Sequence, residues 1–475
     1  MHDYFLELVF RGPRAGWFGS LMAVSEVLAL FTIPSVLLQR QGQPRAALSW
    51  LLALFSIPAL GVVWWWAFGR TSMARKRRRR AASTREFVGR HGAPHTELGT
   101  PFDGLVPPAA LGDSIFTSNG NRVTLLFDGR SAFPAMEEAV RSAVRSVHVL
   151  FYIFQDDETG RKFRDLLAER ARAGVTVRVL VDAWGSPRFT KKFSDPLRAA
   201  GARVAAFRSS KLQPLFAPRL SFANHRKVLV VDDNVAFTGG MNIGNEYARE
   251  WHDVMARLEG PAVHALDHVF LDDWYFASDE DVSDVERDGT RQKGNVACAI
   301  VASGPDRASY IHDAYFILFT RAERRIWIVT PYFIPSDALA TALRTAASRG
   351  LDVRVILPLT SDISVVKHAA RSYYPNLVSA GVKIYEYEGS MVHAKAFVVD
   401  DDTAAVGSAN VDSRSFRLSF EISCFLKDPV MNDKLTAWCE GLVAGSHRVT
   451  REECENRSVG EKLFESAAHL FSPLL

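Results

Sequence analysis

The sequence has few cysteines and no marked excess of charge of either sign. Its 475 residues include four cysteines, with no Cys-x-x-Cys pair and no histidine at zinc-finger spacing: Cys298, Cys424, Cys439 and Cys454. This spacing excludes a disulfide scaffold or zinc finger, and it indicates reduced packing residues in a cytosolic environment. The length of 475 residues allows two or three domains, and 48% apolar with 23% charged residues indicates a folded rather than a disordered chain.

Two long apolar runs begin the chain. Residues 17–38 contain Glu26 and Pro34, whereas residues 46–68 contain no charge. A helix over the second run reaches about 35 Å and exceeds a hydrocarbon core of about 30 Å, so we expect it to span. The first also spans if Glu26 faces the second helix, because a lone carboxylate in lipid is costly. We predict a membrane hairpin over 1–70; a cleaved signal peptide is the alternative, although no small-residue cleavage site follows.

A basic cluster follows the second apolar run: Arg70, Arg75, Lys76, Arg77, Arg78, Arg79 and Arg80. The positive-inside rule keeps it cytoplasmic, which places both termini and the large body of a multi-pass protein on that side. The cluster acts as a stop-transfer signal. In addition, each basic residue close to an anionic membrane surface contributes about 1 kcal/mol of attraction. We predict a basic juxtamembrane linker over 71–110, with modest order over 81–110.

The rest of the chain repeats one plan. Apolar strand patterns at 147–154 and 175–182 flank an amphipathic helix at 160–173, and the same order recurs at 326–334, 336–349 and 351–358. AGVTVRVLVD at 173–182 aligns without a gap with RGLDVRVILP at 349–358. This internal duplication of a β-α-β unit predicts an α/β fold with two similar lobes, 111–290 and 291–475.

A polar motif is duplicated with the lobes. His225-x-Lys227-x4-Asp232 recurs as His393-x-Lys395-x4-Asp400; an asparagine follows each histidine by 17 residues and a carboxylate by 28, and these are Asn242, Asn410, Asp253 and Glu421. A single histidine, lysine or asparagine of this kind is most often a packing, surface or turn residue. The matched set predicts one active site built from two halves. His252 and His368 have no counterpart, so we expect them to be structural or peripheral.

Strand geometry divides this set. Alternating side chains put histidine and lysine on one face of a strand, whereas each motif aspartate has the opposite parity. We therefore favour a structural role at the strand end for Asp232 and Asp400 over a direct part in catalysis. Gly239-Gly240 and Gly407-Ser408 permit a tight turn that returns the asparagines toward the histidines.

These residue types suit substitution at phosphorus. One neutral imidazole attacks a phosphodiester and holds it as phosphohistidine, while the second protonates the leaving alkoxide. Donors to the phosphate oxygens would come from the two lysines and from Asn242, Asn410 and Ser408. A carboxylate at the far ring nitrogen fixes each imidazole tautomer, a task suited to Asp253 and Glu421. The scheme requires no metal and no cofactor.

Two segments allow two interpretations each. The first half carries 12 extra residues before its histidine, within FRSSKLQPLFAPRLSF at 207–222, which suits either lipid contact or a surface loop packing its own apolar residues. Near the C-terminus, apolar residues at 463–471 form one helical face. It suits membrane contact or, as we prefer, packing on the catalytic body.

The motifs resemble the phospholipase D superfamily and, more closely, bacterial cardiolipin synthases of the phospholipase D type. The resemblance covers nearly the whole chain: the apolar hairpin, YIFQDDETG at 152–160, NHRKVLVVD at 224–232, GGMNIGNEY at 239–247, SGPD at 303–306, TPYFIPSDAL at 330–339, GVKIYEY at 381–387, HAKAFVVDD through GSANVDSRSF at 393–416, and the final SPLL. This chain departs from the family pattern at His252, Val254 and Met255, where arginine and a Thr-His pair are expected. The departure concerns headgroup or acceptor contacts rather than reaction type.

The resemblance implies two lobes, each a mixed sheet flanked by helices, related by a pseudo-twofold axis through the active site. It implies a phosphatidyltransferase of the bacterial cytoplasmic membrane that joins two phosphatidylglycerol molecules into cardiolipin and releases glycerol. It makes His225 the nucleophile and His393 the acid and base, although pseudosymmetry leaves the order open. The alternatives are hydrolysis to phosphatidic acid, a nuclease, and an inactive membrane scaffold; the membrane hairpin disfavours a nucleic acid partner.

Overall fold

The computed structural model describes residues 13–41, 44–66, 73–92, 96–102, 104–105, 114–207, 222–282 and 292–470. The chain divides into two compact units, Met1–Arg79 and Arg80–Leu475. Most of the predicted 12-residue insertion and the final SPLL lie outside the described residues, so both expectations about the insertion remain predictions.

The described residues of the first unit up to Trp66 form helices α1 (Pro13–Gln39), α2 (Pro44–Ser56) and α3 (Pro58–Trp64). They pack around the buried side chains of Val36, Leu54 and Trp65. Trp65 Nε1 donates a hydrogen bond to Ser35 Oγ at 3.1 Å, which joins the two apolar runs. Within α1, Gly19–Gln39 is long and apolar enough to cross a membrane, and it is the one such helix among the described residues.

The two apolar runs differ from expectation. The second run, predicted as one continuous spanning helix, is interrupted at Ile57, which has an extended φ of −141°. The cause is Pro58, because proline lacks an N–H and disfavours helical geometry in the residue before it. Glu26, whose contact with the second helix was the condition for the first run to span, has an exposed side chain.

The predicted juxtamembrane linker contains a long helix. Helix α4 (Met73–His91) covers half of it. Alanine, arginine, lysine and glutamate are good helix formers, and Gly92, with a φ of 72°, follows the last turn. The prediction of modest order was wrong for this part, because it weighed scattered Ser, Thr and Gly above the helix formers around them.

Within the part of the second unit that the structure describes, the strands form one 16-stranded sheet. The strands of the first lobe are β1 (Ile115–Phe127), β2 (Ser146–Phe151), β3 (Thr176–Asp182), β4 (Arg203–Phe207), β5 (Ala223–Asn224), β6 (Val228–Val231), β7 (Val235–Gly239) and β8 (Val254–Glu259). Its helices are α5 (Asp128–Arg141), α6 (Glu158–Arg172), α7 (Lys191–Ala199), α8 (Asn245–Arg249) and α9 (Pro261–Ser278).

The second lobe repeats these elements. Its strands are β9 (Val296–Ser303), β10 (Arg325–Val329), β11 (Asp352–Pro358), β12 (Lys383–Tyr387), β13 (Ala396–Val399), β14 (Thr403–Gly407), β15 (Ser419–Lys427) and β16 (Ser446–Arg448). Its helices are α10 (Tyr310–Arg321), α11 (Asp337–Ser348), α12 (Ser364–Arg371), α13 (Tyr374–Ser379), α14 (Ser413–Arg417), α15 (Pro429–Ala444), α16 (Arg451–Glu455) and α17 (Val459–Leu470).

Strand order shows the pseudo-twofold relation between the lobes. From the centre outward the first lobe runs β1-β8-β7-β6-β2-β3-β4, and the second runs β9-β15-β14-β13-β10-β11-β12-β16. The antiparallel pair β1 and β9 joins the two halves. In each half a parallel β-α-β unit (β2-α6-β3 and β10-α11-β11) lies beside antiparallel strands, so the predicted mixed sheets and the predicted duplication are confirmed.

The C-terminal helix α17 packs on the catalytic body. Ala468 is buried in a small cluster with residues of α12, and Glu465 accepts a hydrogen bond from Arg457 Nη1 at 2.7 Å. Leu463 and Leu470 on the same helix remain exposed. The helix packs on the body, but not through the expected face: the described residues of the predicted apolar face, such as Leu463 and Leu470, are exposed, and the face with Glu465 and Ala468 is the buried one.

Candidate active site

The two His-x-Lys pairs lie just before the buried strands β6 and β13. The expectation that they belong to the strands is therefore wrong by a few residues. Val228–Val231 and Ala396–Val399 are buried throughout, which draws each preceding segment toward the middle of the sheet. Lys227 Nζ donates to the carbonyl oxygen of His225 at 2.6 Å, so each pair forms a compact local unit.

The motif aspartates lie at the opposite ends of these strands. Asp232 accepts hydrogen bonds from the backbone amides of residues 144, 145 and 146, at 2.9, 2.7 and 2.8 Å. Asp400 accepts from the amides of residues 323–325 in the same way. Both residues have a positive φ, 55° and 50°. These contacts favour the structural role expected from parity and give neither aspartate a contact with a histidine.

Short backbone pairings cross between the two lobes. Strand β5 pairs in parallel with the start of β15, and the amide of His225 donates to the carbonyl of Phe420 at 2.9 Å. On the other side, the amide of His393 donates to the carbonyl of His252 at 2.7 Å. Each histidine therefore lies beside the carboxylate segment of the opposite lobe.

His225 is paired with Glu421. Its Nδ1 lies 3.1 Å from both carboxylate oxygens of Glu421 and 3.1 Å from the carbonyl oxygen of Ser408. The Ser408 hydroxyl donates to Glu421 and accepts from the amide of Ile422 at 3.0 Å. Ser408 thus differs from its expected role in phosphate binding, because its hydroxyl is already engaged in holding Glu421.

His393 is paired with Asp253. Its Nδ1 lies 2.7 Å from Asp253 Oδ2. The carboxylate is fully buried and fills the space beside Gly240, where a Cβ would lie 2.2 Å from Asp253 Oδ1. Gly240 is therefore required for close approach, rather than only for the tight turn that the sequence suggested.

Burial governs the ionisation of these groups. Desolvation lowers the pKa of His225 to about 4, against the raising effect of Glu421, and lowers the pKa of His393 well below its usual value, with Lys395 acting in the same direction. Desolvation also raises the pKa of Asp253 to about 6 and lowers the pKa of Lys395 to about 8. The unliganded site thus favours neutral imidazoles, the form required of a nitrogen nucleophile.

The two asparagines lie at the same site with part of their capacity unused. Asn242 Oδ1 accepts from the amide of Ile153 at 3.1 Å. Among the described residues, Asn242 Nδ2 and Asn410 Oδ1 are buried without a hydrogen-bond partner. A buried amide group without a partner costs free energy, so this pattern fits a ligand that supplies the missing hydrogen bond.

Sequence reasoning missed the supporting residues. Asp157 caps α6 and accepts from the amide of Asn245 at 2.7 Å, so the 152–160 motif braces the loop that carries Asn242. Tyr152, from the same motif, makes an edge contact with His225 at 4.7 Å between ring centroids. The sequence could have indicated these residues, because YIFQDDETG leads into a helix and contains more polar residues than are needed to cap that helix.

The departures from the family pattern are now placed. Val254 and Met255 are fully buried in β8, so they contribute to the core and not to substrate contact. His252 Nδ1 lies 3.1 Å from Asp128 Oδ2, and its Nε2 lies 3.1 Å from the hydroxyl of Tyr387. It therefore bridges the two lobes at the edge of the site. His368 stacks edge-on against Phe464 of α17, a peripheral position as expected.

Comparison of the sequence with known proteins identifies one family. A family model described as "Cardiolipin synthase, PLD-like domain" matches residues 136–274 and 315–443. The major cardiolipin synthase ClsA of Bacillus subtilis (strain 168) is 35% identical, over 96% of this chain and 100% of that protein. The chain belongs to the cardiolipin synthase family. Another member, from Geobacillus thermodenitrificans (strain NG80-2), is 33% identical over 100% of this chain and 96% of its own length.

A solved structure shares the fold. The phosphatidylserine synthase of Haemophilus influenzae Rd KW20 superposes with a TM-score of 0.59 at 14% identity, over 74% of this chain and 95% of that one. At this identity the likeness concerns the fold alone. The cardiolipin synthase family assignment rests on the sequence matches, and it places the two matched regions on the two lobes described above.

Proposed function

We propose that this chain is a cardiolipin synthase that transfers a phosphatidyl group from one phosphatidylglycerol molecule to a second, giving cardiolipin and glycerol. Family membership supports the reaction. The observation that carries the mechanism is the crossed pairing of His225 with Glu421 and of His393 with Asp253. Two imidazoles, that of His393 buried and that of His225 partly buried, each have Nδ1 within hydrogen-bond distance of a carboxylate. They provide the proton-transfer and nucleophilic groups that exchange at phosphorus needs.

In the first step, His225 Nε2 attacks the phosphorus of phosphatidylglycerol. The phosphorus–oxygen bond to the glycerol headgroup breaks, and the departing oxygen takes a proton from His393, which leaves a phosphatidyl-histidine. Glu421 stabilises the positive charge that develops on the attacking ring. The proposed order of the histidines rests on the ring of His393 being more crowded, with Lys395 Nζ 3.0 Å from its Nε2.

Protonation of His393 depends on the substrate. In the free site burial and two lysines disfavour the imidazolium form. A bound phosphodiester adds a negative charge, which offsets the lysines and raises the pKa of His393. Lys227, Lys395, Asn242 and Asn410 then hold the phosphate oxygens, where charge increases in the transition state.

In the second step, the free hydroxyl of another phosphatidylglycerol attacks the phosphatidyl-histidine. His393 removes the proton from that hydroxyl, a new phosphorus–oxygen bond forms, and the bond to His225 breaks. The two steps are chemically the reverse of one another, so one pair of histidines serves both. Water in place of the second lipid would give phosphatidic acid.

We further propose a multi-pass anchor in the bacterial cytoplasmic membrane, with the catalytic body on the cytoplasmic side and its basic segment near anionic lipid. Both substrates are confined to the bilayer, which favours a tethered enzyme. The apolar helix α1 supports the anchor. Cysteine accessibility at engineered loop positions in intact cells and inverted vesicles tests the topology.

Product analysis tests the reaction. The purified chain is incubated with phosphatidylglycerol of one defined acyl composition, and lipids and free glycerol are measured by mass spectrometry. We expect cardiolipin and glycerol in equal amounts. Phosphatidic acid without cardiolipin would assign the chain to hydrolysis.

Incubation with phosphatidylglycerol that carries a radiolabel in its phosphatidyl group tests the covalent intermediate. We expect acid-labile radiolabel on the protein, absent from His225→Ala but present in His368→Ala.

A further inference from the structure

A buried set of charged side chains connects α4 with the neighbours of His225. Arg80, at the start of the second unit, donates from Nη1 to Asp272 Oδ1 at 3.0 Å and from Nη2 to Asp272 Oδ2 at 2.6 Å. The same Nη2 donates to Asp273 Oδ1 at 2.7 Å. All three side chains are buried. Arg80 is thus held by two adjacent carboxylates of α9.

The other carboxylate oxygen of Asp273 accepts hydrogen bonds from both residues that flank His225. Asp273 Oδ2 accepts from Asn224 Nδ2 at 2.8 Å and from Arg226 Nη1 at 2.7 Å. Arg226 Nε also donates to the backbone carbonyl of Glu421 at 3.2 Å. The network therefore links Arg80 to the residues on either side of His225 and to the backbone of Glu421.

The network exists in one half only. The two histidines of the duplicated motif are 168 residues apart. At the same spacing, Asn224, Arg226 and Asp273 correspond to Val392, Ala394 and Gly441. None of these has a polar side chain, so an equivalent network cannot form around His393. The duplicated histidines therefore have different surroundings, although the histidine, lysine and aspartate of the two motifs have the same spacing.

We propose that Arg80 is a positioning residue for His225, so that attachment of α4 to the catalytic body sets the reactivity of this histidine and not of His393. The inference rests on the proposed function for its effect on turnover. Hydrogen-bonded charge networks orient the groups that they reach, and small displacements of a reacting atom are costly to the rate. A purely structural ion pair is the competing explanation.

The test uses the full chain with Arg80→Met, Arg80→Lys and the control Arg90→Met. Arg90 lies on the same helix and pairs with Asp281 and Glu86 at the surface. We expect Arg80→Met to lower kcat per folded molecule by about 100-fold with little change in KM. Lysine should restore part of the loss, because it keeps the charge but not the fork that binds two carboxylates. Arg90→Met should match the parent.

A second readout does not depend on turnover. Diethylpyrocarbonate modification of His225 and His393 is followed by mass spectrometry in each variant. We expect faster modification of His225 in Arg80→Met, because its segment loses an anchor, with His393 unchanged. Parental kcat and parental modification of His225 would overturn the inference. If Arg80→Met does not fold, the same criteria apply to Arg80→Lys. A parent that makes no cardiolipin refutes the proposed function, and the modification rates still decide the role of Arg80.

Discussion

His393 Nδ1 lies 2.7 Å from Asp253 Oδ2, although the two residues come from opposite halves of the chain. His225 and Glu421 form the equivalent pair, related by the pseudo-twofold axis, at 3.1 Å. Each active-site dyad is therefore assembled between the lobes, and neither lobe alone holds a complete one. This arrangement explains why a duplicated protein needs both copies for one reaction.

Removing the acceptor charge of either dyad should abolish turnover while leaving the fold intact. We expect Asp253→Asn and Glu421→Gln each to lower kcat by roughly a thousandfold, because the imidazole loses its fixed tautomer and the support of its charged form. Cardiolipin formation by purified protein measures this. Asp267→Asn is the control, since Asp267 pairs with the buried His148 outside the site at 2.6 Å. Comparable losses in all three, per folded molecule, would contradict the assignment.

Gly240 should tolerate no side chain. In Gly240→Ala the new Cβ would lie 2.2 Å from Asp253 Oδ1, so the carboxylate must move away from His393. We expect a large fall in kcat with a modest fall in melting temperature. Gly441→Ala is the matched control, because nothing lies within 4 Å of its Cβ position in α15, and it should retain full turnover. Parental turnover in Gly240→Ala would show that the position of Asp253 is not critical.

Replacing a motif aspartate should lower the stability of the protein and leave the turnover of the folded molecules nearly unchanged. Asp232→Ala removes three hydrogen bonds to backbone amides at a position with a φ of 55°, and we expect a loss in free energy of unfolding of about 2–4 kcal/mol. Asp232→Asn should lose less, because its amide oxygen still accepts. Thermal melting in detergent measures the loss, and turnover per folded molecule should stay near that of the parent. If the variant is inactive but melts at the parental temperature, Asp232 has a direct part in catalysis.

The alkaline limit of activity should follow Lys395. Its pKa is lowered by burial to about 8, so the ammonium form that holds the phosphate is present below that pH and lost above it. We expect kcat/KM to fall above about pH 8. Lys395→Arg should move this limb to higher pH even if its maximal rate is lower, because arginine stays charged. Lys427→Arg, at a surface pair with Asp402, should leave the profile unchanged.

The C-terminal helix should be required for stability. Deleting residues 460–475 removes the buried Ala468 and the Glu465–Arg457 ion pair, so we expect a lower melting temperature. Replacing the exposed Leu463 and Leu470 by serine should not change it. If the deletion melts like the parent, then packing on the body does not explain this helix, and the membrane interpretation gains support.

The sequence by itself was sufficient for the repeated parts of this protein. Strand and helix periodicity identified both β-α-β units to within a few residues, because each buries one apolar face at a fixed period. Equal spacings of 17 and 28 residues identified the asparagines and carboxylates that accompany the histidines. Strand parity predicted a structural role for Asp232 and Asp400, and their hydrogen bonds favour it, although the histidines and lysines lie just before the strands and not within them.

Only the tertiary structure decided which residues meet. The 28-residue spacing is the same within each half, so it contains no information about whether a histidine pairs with its own carboxylate or with that of the other lobe. The crossing arises because β5 pairs with β15, and the segment at His393 with that at His252, across the central axis. The same limit applies to Arg80, whose partners lie 192 and 193 residues away. Contacts between distant segments depend on how the lobes close on each other, and no local pattern records that.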